Sequence, residues 1–363
     1  MNTQPIHTWG LPYTSSTDSP FLIAGPCAAE TEEQVLASCL PLAGLGVHLL
    51  RAGIWKPRTR PNSFEGVGHI GLEWLMRASK ATGLPVSVEV ASTVHVEQAL
   101  KAGVQVLWIG ARTTVNPFLV QEIADALQGV DIPVLVKNPV NPDIDLWIGA
   151  LERVHKGGIT KLAAIHRGFS VTHSMPYRNK PLWEIPIELR RRLPNLPIIG
   201  DPSHICGTRA LLADVAQQQL DLDFDGLMIE SHCHPSTAWS DAAQQVDAVG
   251  LGTLLKGLVN RVKDVSDDTF HQQLEILRYK IDALDEELLD LLAQRMAISR
   301  EIGRYKAQKN IKIFQIERWA KIFETRTSKG VTSGLSVEFI ENIIQDIHKE
   351  SILQQTQVMK HTN

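Results

Sequence analysis

The sequence predicts an α/β protein: a (β/α)8 barrel of the TIM type, followed by a small all-α domain of three helices that dimerises. Three observations predict it. Short, near-continuous apolar runs recur eight times in the first 230 residues, as expected of parallel strands buried on both faces. Helix-compatible segments separate most of them, which makes the sheet parallel. After about residue 260 the alternation stops and only helical periodicity continues.

In order, the strands fall at 21–27 (FLIAGPC), 49–55 (LLRAGIW), 85–90 (PVSVEV), 106–111 (VLWIGA), 133–137 (PVLVK), 161–166 (KLAAIH), 197–201 (PIIGD) and 225–230 (DGLMIE). Helical segments such as 31–44, 69–82, 116–128 and 208–220 lie between them. Eight such units in about 250 residues suit a closed barrel. A doubly wound open sheet is the structural alternative, but no Gly-rich nucleotide turn accompanies it. The barrel domain is expected over 15–260, a polar linker (RVKDVSDDTFHQ) over 261–272 and the helical domain over 273–358. There, Leu277, Ile281, Leu284, Leu288, Leu291 and Leu292 recur at spacings of three and four, one face of a helix from about 270 to 308. A helix that long needs a packed partner. Gly330 and Gly334 are expected to flank a loop, and a third helix covers about 336–357, with Phe339, Ile343, Ile347 and Ile352 near its apolar face.

Composition limits the function classes. Of 363 residues, 44% are hydrophobic and 21% charged, ordinary for a soluble globular protein. With 36 Lys and Arg against 40 Asp and Glu, the net charge of −4 gives no footprint for nucleic acid and no polybasic segment for a membrane. Small anions are still possible partners if cations converge in one cleft. The four cysteines, Cys27, Cys39, Cys206 and Cys233, form no CxxC pair. Reduced thiols and a cytoplasmic location are the expectation, in keeping with the absence of a signal-peptide pattern or an apolar run of about 18 residues.

The polar residues of interest do not scatter. Cys27, Arg51, Lys56, Arg58, Glu89, Arg112, Lys137, Arg167, His204 and Glu230 all lie at or just past the C-terminal end of an expected strand. In a barrel those ends meet on the face where active sites are built. Five or six cations there make a positive pocket for substrates with several negative charges. A single strand-end Arg is more often a surface ion pair; the recurrence is what carries the reading. Cys27, His204, Glu230 and Asp241 offer a thiol, an imidazole and two carboxylates, a mixed set suited to Mn, Fe, Co or Zn rather than Ca. His232, Cys233 and His234 read as loop residues.

At these residues the chain resembles the DAHP synthase family in its smaller microbial type. The matching motifs are GPC (25–27), RAGIWKPRTRPNSFEG (51–66), IGAR (109–112), VKNP (136–139), HRGF (166–169), DPSH (201–204) and the Glu230 to Asp241 spacing. KPRT discriminates best: the sister family making 3-deoxy-manno-octulosonate 8-phosphate, the alternative reading of the barrel, differs there. The resemblance implies condensation of phosphoenolpyruvate with erythrose 4-phosphate, with one divalent metal, Mn first, held by Cys27, His204, Glu230 and Asp241. It implies that Arg51, Lys56, Arg112, Lys137 and Arg167 hold phosphoenolpyruvate, that Arg58 and Thr59 grip the phosphate of erythrose 4-phosphate, and that Glu89 lies beside the reacting carbons. Lys56, Glu89 and His204 then count as catalytic.

In the first long helix, Arg295 and Lys306 share a face with Leu288, Leu292 and Ile302. Cations on an apolar stripe are costly unless paired, so two of them point to an anionic ligand between helices, against the blander reading of snorkelling side chains. Arg278 lies about 25 Å earlier along the axis, on another face, where a partner helix would have to bring it into the site. The segment 277–306, with QIERW (315–319) and ESILQQ (350–355), resembles the all-helical class of chorismate mutase. The resemblance implies that Arg278 of a second subunit joins Arg295, Lys306, Arg318, Ser351 and Gln355 around chorismate, with Arg295, Lys306 and Gln355 catalytic. Gln315 and Trp319 depart from the family pattern of Asp and Glu. The expectation is a bifunctional shikimate-pathway enzyme, a homodimer or higher assembly through its helical domain, which also senses prephenate or chorismate. The alternative makes that domain a dimerisation and sensor module without significant turnover.

Overall fold

The computed structural model describes residues 1–14, 19–58, 63–172, 175–262 and 264–360. They form two compact units, Met1–Asp264 and Val265–Asn363. In the first, eight parallel strands pair in sequence order and the last closes onto the first. They are β1 (Phe21–Gly25), β2 (Leu49–Ala52), β3 (Val86–Val90), β4 (Val106–Ile109), β5 (Val134–Lys137), β6 (Leu162–His166), β7 (Ile198–Gly200) and β8 (Gly226–Glu230). Every expected strand is present, trimmed by one to three residues. Around them lie α1 (Glu32–Cys39), α2 (Ile70–Thr82), α3 (Thr93–Ala102), α4 (Pro117–Ala126), α5 (Ile144–Lys156), α6 (Glu184–Arg192), α7 (Leu212–Asp221) and α8 (Ala248–Gly257).

Successive strand side chains point to opposite faces, and the core divides accordingly. Phe21, Ile23, Leu49, Val106, Trp108, Leu135, Ala163, Ile165, Ile199 and Met228 cluster inside the barrel. Their strand neighbours, among them Ala24, Leu50, Val88, Leu107, Val136, Ala164, Ile198 and Ile229, pack outward against the helices. The helices meet them with matching stripes; α5 buries Trp147, Ala150, Leu151 and Val154, and Asp143 caps it by accepting from the Leu146 N–H. Two residues beyond the inner apolar layer, the inward positions are Arg51, Lys137, Arg167, Asp201 and Glu230. Glu89 holds the same parity on β3, two places after the buried Ser87. The period of two that fills the barrel with hydrocarbon thus also rings its mouth with charge.

The segment before β1 plugs the other end. Ile6 and Trp9 join the inner cluster, the Gln4 N–H donates to Thr160 O, and Thr3 Oγ1 donates to Asn195 O, beneath the starts of β6 and β7. The compact unit therefore takes in residues ahead of position 15, where the sequence had suggested the barrel domain begins.

The second unit comprises α9 (Asp268–Gln308), α10 (Ile316–Thr332) and α11 (Val337–Lys360). α9 starts inside the stretch expected to be linker, because Asp267 caps it by accepting from the Phe270 N–H; the polar residues after it form a solvated first turn. Gly330 is helical rather than at a loop edge. Its missing Cβ admits Ile340, whose Cγ1 would lie 2.4 Å from it, so this glycine marks a close helix approach. α9 and α11 run in the same direction at close range: Ser299 Oγ lies 2.7 Å from Ser351 Oγ, and Arg300 donates to Gln354. Gly303 sits against Gln355, where a Cβ would fall 3.1 Å from Cα. The first half of α9 is different. Leu277, Ile281, Leu284, Leu288 and Leu291 are each more than half exposed.

Gly303→Leu is expected to force α9 and α11 apart, at a cost of about 1–3 kcal/mol. Hydrogen exchange should rise in peptides from 299–308 and 345–358 while barrel peptides keep their protection; unchanged exchange in α11 would contradict the contact.

Candidate active sites at the barrel mouth and in the helical unit

At the barrel mouth, β8 ends on Glu230 and the chain after β1 carries Cys27 beside it. The loop after β8 returns Asp241 to the same place. The Cys27 Sγ and one carboxylate oxygen each from Glu230 and Asp241 lie within 4.8 Å of one another. Cys27 Sγ is 3.1 Å from Asp241 Oδ2 and accepts from Ser240 Oγ at 3.1 Å and Lys56 Nζ at 2.9 Å. His204 stands at the edge of this set, its Nε2 3.7 Å from Glu230 Oε1. Its Nδ1 is 2.8 Å from Asp201 Oδ2, which aims the other nitrogen inward. His232 lies outside the set, 3.4 Å from the buried Glu30 carboxylate. Glu30 also accepts from the Trp239 N–H and so anchors the loop that carries Asp241.

Electrostatics fit a cation at this point. Burial first, then Glu230, pushes the Cys27 thiol up to about 12. Burial would raise the Glu230 carboxyl, but His204 and Arg51 bring it below its ordinary value. Asp241 is held well below the carboxylate range against its burial, chiefly by Arg178 and His204. A thiol and two carboxylates crowded together, with an imidazole beside them, are a donor set that a borderline divalent ion satisfies.

The cations divide into two groups. Arg51 is 2% exposed; it donates to Glu230 Oε1 at 2.8 Å and to Cys27 O at 3.0 Å, and lies 5.0 Å over the Trp108 ring. Lys137 donates to Asp201 Oδ2 at 2.7 Å, and burial of Asp201 is outweighed by His204 and Lys137, which hold its carboxyl well below the usual range. These two cations are neutralised by carboxylates at the base of the pocket, inside the barrel mouth. Above them, burial lowers the Arg167 guanidinium to about 10, and the like charges of Arg178 and Arg112 press in the same direction. The charges of three guanidinium groups therefore act on one another here, with Arg178 also paired to Asp241; clustered Arg suits a phosphate. Glu89 leans over Gly110, where a Cβ would collide with its carboxylate, and accepts from Trp108 Nε1 at 3.3 Å. Arg58 donates to Phe64 O at 2.8 Å, and Phe64 meets Trp239 edge-on at 5.2 Å, tying the loop after β2 to the loop after β8. Thr59 lies outside the described residues.

Asp201, Arg178, Ser240, Gln244 and Glu30 were not singled out from the sequence. Asp201 could have been, since it directly follows β7 at the inward parity and opens the DPSH stretch. Arg178 comes from a long loop and donates to Asp241 Oδ1 at 2.9 Å and Gln244 Oε1 at 2.8 Å; no spacing rule announces it.

In the helical unit, Ser351 of α11 meets Ser299 and Gln355 lies against Gly303, one and two turns beyond Arg295 on α9. The Arg295 guanidinium is lowered by burial and by nearby Arg326, a residue that motif comparison passed over. Lys306 donates to Ile313 O at 2.6 Å. Arg318 is exposed. Arg278 is also exposed and pairs with Glu275 at 2.6 Å. Trp319 stacks on His348 at 4.0 Å with rings 17° from parallel.

Comparison with known proteins agrees with this division. Residues 13–265 match the model of the DAHP synthetase I family, and residues 277–356 that of chorismate mutase type II. A phospho-2-dehydro-3-deoxyheptonate aldolase of Thermotoga maritima is 31% identical over 246 residues, covering 68% of this chain and 70% of that protein. The crystal structure of the DAHP synthase from the same organism superposes with a TM-score of 0.59 at 31% identity, over 65% of this chain and 67% of that one. The helical part is similar to the bifunctional chorismate mutase/prephenate dehydratase of Escherichia coli K12, at 34% identity over 96 residues, 26% of this chain and 25% of that protein. The chain thus spans about a quarter of the length of that relative. Since the first family's model extends over well more than half of the sequence, and the residues it matches build the barrel, the chain belongs to the DAHP synthetase I family, with a type II chorismate mutase domain following it.

Proposed function

We propose that the barrel condenses phosphoenolpyruvate with erythrose 4-phosphate to DAHP and phosphate in a metal-dependent reaction, and that the helical domain rearranges chorismate to prephenate. The observation that carries the first part is the convergence of Cys27, Glu230 and Asp241 within 4.8 Å, with Lys56 donating to Cys27 and Arg178 to Asp241. Cys27, His204, Glu230 and Asp241 would hold the ion, Mn first, with Fe, Co and Zn as alternatives. When bound, the ion supplies Lewis-acid polarisation of the aldehyde oxygen. Arg112 and Arg167, joined by Arg178, take the phosphate of phosphoenolpyruvate; Lys56 and Lys137 face its carboxylate end. Arg58 and Thr59 take the phosphate of the sugar. Holding two anions at bonding distance against mutual repulsion is the larger part of the catalysis. Glu89, braced by Trp108, is positioned beside the reacting carbons to manage the proton of the attacking water. Arg51 keeps Glu230 ionised and oriented from below.

For the helical domain, the exposed apolar half of α9 supports a homodimer in which the partner's copy of that half covers it. Arg278 would then enter the neighbouring site, beside Arg295, Lys306, Arg318, Ser351 and Gln355. The rearrangement is pericyclic, so the site restrains and stabilises rather than forming a covalent bond. This domain would also sense prephenate or chorismate for the barrel.

Phosphate release from phosphoenolpyruvate and erythrose 4-phosphate, with and without Mn²⁺, tests the barrel; arabinose 5-phosphate is the control substrate, and turnover of it alone would move the assignment to the sister reaction. Chelation with EDTA should abolish condensation and leave prephenate formation intact, and loss of both would contradict the split. Arg278→Ala and Arg295→Ala should each lose mutase activity, and mixed dimers should recover part of it. No recovery after mixing and re-equilibration would remove the shared site. Saturating prephenate should slow the barrel reaction; an unchanged initial rate would remove the sensing role.

A further inference from the structure

We infer that His348 touches the ligand in the helical unit, its imidazole Nε2 and the Arg295 guanidinium together gripping one carboxylate of the bound anion. This rests on reading that site as a chorismate site. His348, Ser351 and Gln355 recur at spacings of three and four, so they share one face of α11. Across from them on α9, Ser299 is 2.7 Å from Ser351 and Gly303 lies against Gln355. One turn earlier on each helix stand Arg295 and His348, near enough for the guanidinium charge to act on the imidazole.

Three features make this pair a receptor for an oxygen anion. The His348 Nε2 and Arg295 Nη1 are both buried with no hydrogen-bond partner among the described residues. Neighbouring orphan donors are a cost that folds tolerate where a ligand supplies the partner. The imidazole is also fixed in orientation: it stacks on Trp319 at 4.0 Å, and Phe314 lies 6.1 Å away on an inclined plane. Finally, the local charge is of one sign. Arg295 on α9 and Arg326 on α10 repel one another, and burial together with Arg295 keeps the imidazole less basic than usual. None of the three pairs with a carboxylate among the described residues. An anion relieves that repulsion, and a neutral imidazole bearing its proton on Nε2 donates one hydrogen bond beside the guanidinium. The same Trp319 that breaks the family pattern at the rim thus serves as the platform that aims this donor.

The full chain with His348→Phe keeps the stack on Trp319 and deletes the donor; His348→Gln places an amide N–H near the position of Nε2. Phe is expected to raise the KM for chorismate and the Kd for prephenate by roughly tenfold or more, with a much smaller change in kcat, and Gln to restore most of the affinity. Arg295→Ala is the control. If it weakens binding while His348→Phe binds as the parent does, the inference fails and the site stands; if both leave binding unchanged, the chorismate site itself is misplaced. Gln binding no better than Phe would reduce His348 to packing. In the unsubstituted chain, ¹⁵N-histidine NMR reads the contact independently of any folding defect: the His348 Nε2 resonance should shift at saturating prephenate, and an unmoved resonance overturns the proposal.

Discussion

A residue of a closed parallel barrel has two destinations, the interior or the helical shell, and its parity along the strand decides which. Everything at the mouth of this protein depends on that alternation being kept in register across eight strands. Leu49, Leu135, Ile165, Ile199 and Met228 fill one interior layer, and each is followed two places later by a charged residue at the rim. A one-residue slip of a strand would send a charge into the apolar shell and an outward residue such as Leu50 or Val136 into the site. His166 illustrates the outward parity. Adjacent to Arg167 but pointing the other way, it sits among Phe169, Trp183 and Phe224, and burial lowers it to about 4. Two neighbouring basic residues of one motif therefore do opposite jobs.

The ring of charge is stable because it is layered. Arg51 and Glu230 are 2% and 0% exposed, Lys137 and Asp201 6% and 0%. Removing one member of such a pair strands the other and typically costs about 3–5 kcal/mol, so these cations hold the carboxylates in place before any substrate arrives. The shallower arginines are held differently: Arg167 donates to Asn179 Oδ1 and Arg178 to Asp241 Oδ1 and Gln244 Oε1, while the like charges of Arg178 and Arg112 act on Arg167. Cations counted together in the sequence thus divide by partner: Arg51 and Lys137 are held by carboxylates, and Arg167 by the amide of Asn179.

Most of the barrel was legible in the sequence, since short apolar runs of fixed length leave little else to form. The motif residues at strand ends were legible for the same reason. What escaped depended on loops and on contacts remote in sequence. Arg178 reaches Asp241 across 63 residues, and Glu30 holds the Trp239 N–H across 209; neither relation has a period. Asp267 caps α9, whose first residue stands two ahead of the start expected near 270, within a stretch whose polarity reads as linker. The sequence places Gly330 at a loop edge because a glycine that ends a helix and one that lets two helices touch are the same letter; Ile340 decides between them.

The helical unit shows how far one chain can carry a binding site. Its second half is internally complete: Ser299 meets Ser351, Gly303 admits Gln355, and Trp319 braces His348. Its first half spends some 25 residues of helix, about 40 Å, on a stripe of leucines and isoleucines left in water. Apolar area on that scale is worth far more buried than exposed, and a surface helix with an uncovered stripe is an unfinished interface. Arg278 lies within that stretch, too far along the axis to meet Arg295 of its own chain. In the homodimer we propose, a second copy of the same helix would cover the stripe and bring Arg278 to the neighbouring site at once, because a two-fold contact gives each subunit what it gives the other.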